Sequence, residues 1–132
     1  MPPSITRRWL WLPVVLYMAF IFGLSSIPDT PALPGGSDKG LHAVLYAGLG
    51  VLLVRALAGG LRRPITVAMA LGATVIGGVY GVSDEIHQHF VPPRQVEALD
   101  VVADTTGAAA AAFALLGWSL ARGSRVPPGE RL

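Results

Sequence analysis

The side chains that could do chemistry in this chain fall in three short runs. Lys39, His42 and Tyr46 are spaced three and four apart, so on a helix they share one face. Asp84, Glu85, His87 and Gln88 form the second run; Asp84, His87 and Gln88 share a face if that helix continues past Ser83. Arg94, Asp100 and Asp104 form the third. The two aspartates are four apart, on a face that also carries Gly107 and Ala108. These ten residues are the candidate ligand-binding set. Glu97, between Arg94 and Asp100, reads as a solvated loop charge.

Several chemistries could use such a set. A histidine beside a carboxylate can act as a general base. Arg94 with Lys39 can clamp a phosphate or carboxylate. Carboxylates and imidazoles can hold a divalent metal, but a helical zinc pair needs histidines four apart. In Asp84-Glu85-Ile86-His87-Gln88-His89 they are two apart, on different faces. No metal site and no cofactor is read from the sequence. It contains no cysteine, which excludes thiolate chemistry. It shows no serine–histidine–aspartate order and no glycine-rich phosphate loop. Three function classes stay open: a binding protein, a hydrolase or transferase acting on a lipid-linked substrate, and a small transporter.

The elements that must position these residues are transmembrane helices. Of 132 residues, 52% are apolar and 14% charged, and the mean hydropathy is +0.56. A soluble domain carries roughly a quarter charged residues. Four stretches are long enough to cross a bilayer, at about 9–27, 41–58, 65–83 and 99–121. Between them lie Pro28 to Gly36, then Gly59, Gly60 and Pro64, then Pro92 and Pro93. The first stretch is longer than a signal-peptide core, and an uncleaved helix is expected. Residues 123–132 read as a disordered tail beyond a single transmembrane domain.

Charge orients these spans. Arg7, Arg8, Arg55, Arg62, Arg63, Arg122, Arg125 and Arg131 fall on one side, and only Lys39 and Arg94 among the cations on the other. By the positive-inside rule both termini are cytoplasmic, in the cell membrane, and the polar set faces outward. Arginines placed this way answer to the membrane, so no nucleic-acid partner is expected. Asp104 lies about 6 Å deeper than Asp100. Facing lipid there it would cost roughly 2–3 kcal/mol, so it is expected to face inward, with His42, Tyr46, Lys39 or Arg94 as partner. The cytoplasmic halves of the spans hold almost no polar residues, which disfavours a transport path.

The run SDEIHQHFVPPRQVEALDVVADTTGA, from Ser83 to Ala108, resembles the signature of VanZ-like membrane proteins. Lys39, His42 and Tyr46 resemble that family's Lys-x-x-His-x-x-x-Tyr, and Ser25-Ser26-Ile27-Pro28 resembles the Ser-Ser-x-Pro that ends its first helix. The chain departs from the pattern at Asp104, where the family usually has asparagine. A carboxylate only accepts hydrogen bonds unless protonated, whereas an amide also donates. The resemblance implies an all-α bundle of four transmembrane helices in the cell envelope. It also implies an association with antibiotic resistance of the teicoplanin type, without specifying a reaction. The partners expected are membrane lipids and an anionic lipid-linked component, such as a cell-wall precursor, contacted by Lys39 and Arg94.

The orientation is testable because the chain has no cysteine of its own. Single cysteines at positions 3, 61 and 128 are expected to resist a membrane-impermeant thiol reagent in intact cells, and those at 35 and 95 to react. Labelling of 61 or 128 from outside would reverse the topology.

Overall fold

The computed structural model describes residues 3–28, 37–92 and 96–124. They form four helices: α1 (Pro3–Ser25), α2 (Ser37–Ala58), α3 (Val67–His89) and α4 (Ala98–Ser124). No strand occurs among the described residues. At 1.5 Å per residue, the 22 residues of α2 reach about 33 Å and the 27 of α4 about 40 Å. Each helix is therefore long enough to span the roughly 30 Å hydrocarbon layer. All four contain a stretch apolar enough to cross a membrane. Their outer faces carry Val15, Leu16, Phe20, Val44, Val75, Val79, Val102 and Leu120, all exposed. So much contiguous apolar surface marks a lipid-facing exterior. The protein is an integral membrane protein.

The helices run past the apolar stretches at several ends. The first begins at Pro3 rather than Trp9. The second begins at Ser37, which puts Asp38 and Lys39 on it. The third starts at Val67 and continues to His89, carrying Asp84, Glu85, His87 and Gln88 as helical residues. Hydropathy marks where lipid must be met, whereas a helix continues for as long as its backbone bonds are satisfied. Gly123 and Ser124 belong to α4 rather than to a tail; residues 125–132 lie outside the described residues.

The connections have local causes. At the end of α2, Gly60 N bonds Arg55 O at 2.9 Å and Gly59 N bonds Ala56 O at 3.3 Å. Gly59 has φ +78° and Gly60 φ +121°, so the pair closes the helix as a Schellman motif that residues with a Cβ rarely adopt. Thr66 caps α3 by accepting from Met69 N at 3.3 Å. Ser119 Oγ accepts from Ile65 N at 3.0 Å, and Arg122 donates to Leu61 O and Arg62 O at 3.2 Å. These bonds pin the α2–α3 turn to the far end of α4.

α2 and α4 run parallel and share the largest interface, followed by α3 with α4. Among the described residues, α1 packs mainly on α2 and not on α4. Lipid offers no hydrophobic drive between helices, so close backbone approach and polar contacts hold them together. A Cβ on Gly107 would collide with the backbone of Ala43, and one on Gly50 would meet Ala108 O at 2.6 Å. On the other side, a Cβ on Gly77 would meet Ala108 Cβ at 2.7 Å. Gly107 and Ala108 thus let α4 approach both neighbours. α1 is tied by tyrosines: Tyr17 donates to Leu45 O at 2.8 Å and Tyr80 to Met18 O at 2.5 Å.

Gly107→Ala is expected to lower stability by about 1–3 kcal/mol, the usual cost of overpacking a well-packed core. Gly117→Ala, where a Cβ meets nothing within 4 Å, should be neutral or better. Denaturant unfolding in detergent micelles would compare the two; equal stability would mean that the α2–α4 approach is not tight.

Candidate functional site

Because α1 and α3 end where α2 and α4 begin, the polar residues of all four helices collect at one end of the bundle. α2 and α4 face each other there in two rungs. The outer rung is Lys39, whose Nζ lies 2.6 Å from Glu97 Oε2 and 3.0 Å from Asp100 Oδ1. The inner rung is His42, whose Nδ1 lies 2.8 Å from Asp104 Oδ1. Spacings of three residues on α2 and four on α4 put both rungs on facing stripes. Asp104 has no exposed surface. Gly81 on α3 makes that possible, since a Cβ there would sit 3.1 Å from Asp104 Oδ2. His42 is thus the partner found among the expected candidates.

Tyr46, one turn below His42, is buried and lies beside Tyr80, with ring centroids 6.2 Å apart. It faces inward, as its spacing with His42 predicts.

The α3 residues divide between two neighbours. Glu85 turns toward α4, where its Oε2 accepts from Glu97 N at 3.2 Å. Gln88 turns toward α1 and reaches Ser25 Oγ and Asp84 Oδ2, each at 3.4 Å. His87 Nε2 lies 2.9 Å from Ser26 Oγ, and its ring stacks on Phe22 at 4.1 Å. Ser26 donates its hydrogen to Phe22 O at 2.8 Å, so His87 is the donor in their bond. The predicted set therefore separates into an α2–α4 group (Lys39, His42, Asp100, Asp104) and an α1–α3 group (Asp84, His87, Gln88), with Tyr46 and Glu85 between. Arg94 lies outside the described residues.

Glu97 was expected to be a solvated loop charge. Its side chain is 52% exposed, yet it makes the shorter of the two Lys39 ion pairs. The start of α4 brings it there. Ser25 and Ser26, singled out in the sequence only as a resemblance, hold the α3 side chains. Asp38 was not singled out. It, His42 and Asp100 each place one ligand atom within 4.8 Å of the other two. Its spacing of four residues from His42 was the available signal.

Electrostatically, the described part of this end is rich in acceptors. Asp38, Asp84, Glu85, Glu97, Asp100 and Asp104 are opposed by Lys39 alone among lysines and arginines. Tyr46 Oη, Glu85 Oε1 and Asp104 Oδ2 are buried with no protein hydrogen-bond partner. Such atoms cost about 1–3 kcal/mol each unless a donor reaches them. Beside Glu85 a groove of about 490 Å³ runs between the end of α3 and the start of α4. It is lined by Val82, Ile86, Phe90, Val96, Ala98 and Val101, with Glu85 and His89 as the polar contributors. Most of these side chains are exposed.

The profile of the VanZ/LLP1 family matches residues 17–120. The chain belongs to the VanZ/LLP1 family. No curated protein and no solved structure matches it. The VanZ/LLP1 match begins at Tyr17, whose hydroxyl ties α1 to α2. It covers both rungs, the α1–α3 group and the groove. It ends at Leu120, just before the arginine that anchors the α2–α3 turn.

Asp104→Asn leaves a carbonyl oxygen for His42 and is expected to cost under about 1 kcal/mol, whereas Asp104→Leu strands Nδ1 and should cost about 1–3 kcal/mol. Unfolding of both variants in detergent would check this. A leucine variant as stable as the asparagine one would show that the bond holds nothing together.

Proposed function

We propose that this VanZ/LLP1 protein binds an anionic, lipid-linked component of the cell envelope at its polar end, with the component's hydrocarbon tail in the α3–α4 groove. The observation that carries this reading is the adjacency of the two features. An apolar groove open to lipid adjoins buried acceptors that lack partners, and Glu85 belongs to both. A molecule that fits must be amphiphilic, with donors in its head group. Hydroxyl and amide hydrogens of a sugar or peptide head group meet Glu85 and Asp100. Lys39, at the rim and 34% exposed, and Arg94 take the anionic group. The α1–α3 group, with Asp84, His87 and Gln88, closes the other flank beside Tyr46. Orientation follows from the arginines at the opposite end, so that the site faces outward and both termini lie in the cytoplasm. By engaging such a component the protein would alter susceptibility to glycopeptides of the teicoplanin type.

The test uses the purified protein in nanodiscs and a fluorescent polyprenyl-diphosphate-linked disaccharide pentapeptide as probe, with phosphatidylglycerol as competitor. Saturable binding that phosphatidylglycerol does not displace is expected. Ala98→Trp, which fills the groove, and Glu85→Gln should each weaken it about tenfold, or about 1.4 kcal/mol. Binding indifferent to both substitutions would refute the site. Turnover of the probe that His42→Gln abolishes would make the protein a hydrolase or transferase instead.

A further inference from the structure

The histidine of the inner rung presents its second nitrogen to two aspartates. We propose that Asp38, His42 and Asp100 form a binding site for a divalent transition-metal ion at the polar end of α2 and α4. The site shares Asp100 with the proposed ligand-binding end, but its test needs only the protein and the ion.

Three ligand atoms, one from each residue, lie within 4.8 Å of one another, close enough for small side-chain shifts to bring all three onto one ion. The tautomer of His42 follows from its inner partner. Asp104 Oδ1 lies 2.8 Å from Nδ1, and a carboxylate only accepts, so Nδ1 carries the hydrogen. In the neutral ring Nε2 then holds a lone pair. It points toward Asp100 Oδ2 at 3.8 Å, too far for a hydrogen bond. Asp100 is nine-tenths buried, and its other oxygen is held by Lys39 at 3.0 Å. Among the described residues no donor hydrogen-bonds Oδ2. In that neutral ring a lone pair and an anionic oxygen face each other. A metal ion, or a second proton on the ring, relieves that arrangement.

The surroundings are those of a metal ligand. A ligating histidine almost always donates its other N–H to a carboxylate, which fixes ring orientation and raises basicity. Asp104, fully buried, does this for His42. Lys39 does the corresponding work for Asp100 by fixing the oxygen turned away from the site. Asp38 is exposed, four residues before His42 on the same face of α2. It closes the site on the water side and leaves coordination positions open. One imidazole and two carboxylates suit Zn²⁺ or Mn²⁺ better than Ca²⁺ or Mg²⁺, which favour all-oxygen shells.

The probe is the metal alone. Protein in detergent, freed of metal with chelator and desalted, is titrated with Zn²⁺ by calorimetry and with Mn²⁺ by electron paramagnetic resonance. One equivalent is expected to bind saturably. Asp38→Asn and His42→Gln should each weaken binding about tenfold or more, at least as much as loss of an outer-shell partner does. Melting without metal establishes that each variant is folded, and exposed Asp38 is the substitution least able to disturb the bundle. No saturable binding would overturn the proposal, and would mean that a second proton on His42 occupies the space. Binding unchanged in folded Asp38→Asn would also overturn it, by placing the ion elsewhere.

Discussion

A carboxylate with no exposed surface, inside helices embedded in lipid, must find its hydrogen-bond partner within the protein. That constraint organises the polar half of this molecule. Asp104 meets His42 at 2.8 Å, which sets α2 against α4 at one height. Its second oxygen lies against α3 where Gly81 leaves room. Three helices are thereby brought to a common point, and the small residues one turn further along α4 carry the contact onward. Gly107 meets Ala43, and Ala108 meets Gly50 and Gly77. Packing and polar contact depend on each other here. Without the glycines the backbones could not approach closely enough for the His42–Asp104 bond, and without the bond the seam would contain an unpaired charge.

The two ends of the bundle are held by different means. At the arginine-bearing end, backbone carbonyls of the α2–α3 turn are bonded by Arg122, and Ile65 N is bonded by Ser119. The cohesion there is structural and uses few ionisable groups. At the polar end side chains bond side chains, and carboxylates outnumber the cations that could pair with them. Buried acceptors left without protein donors are costly wherever they occur. They are concentrated at one end, beside an apolar groove.

α1 has a distinct place in this arrangement. Among the described residues it packs on α2 and the edge of α3 but not on α4. Its contribution to the polar end comes from its last turn, through Ser25 and Ser26. These serines hold Gln88 and His87, so the α3 histidine is turned away from the α2 histidine. Membership of the VanZ/LLP1 family covers this arrangement from Tyr17 onward.

Much of this was legible in the sequence. Four apolar stretches give four crossings, because the bilayer imposes a length and excludes charge. Spacings of three and four residues put Lys39, His42 and Tyr46 on one stripe and Asp100 and Asp104 on another. The cost of an aspartate in lipid then requires Asp104 to face inward. All of these follow from properties of single helices. Which residues meet across helices does not. His42 rather than Tyr46 or Lys39 receives Asp104, Glu97 reaches Lys39, His87 turns to Ser26, and Asp38 comes alongside Asp100. Each of these depends on how closely two backbones approach and at what stagger. That approach is fixed by glycines and alanines whose effect is a distance rather than a chemical group, and only the packed bundle decides it.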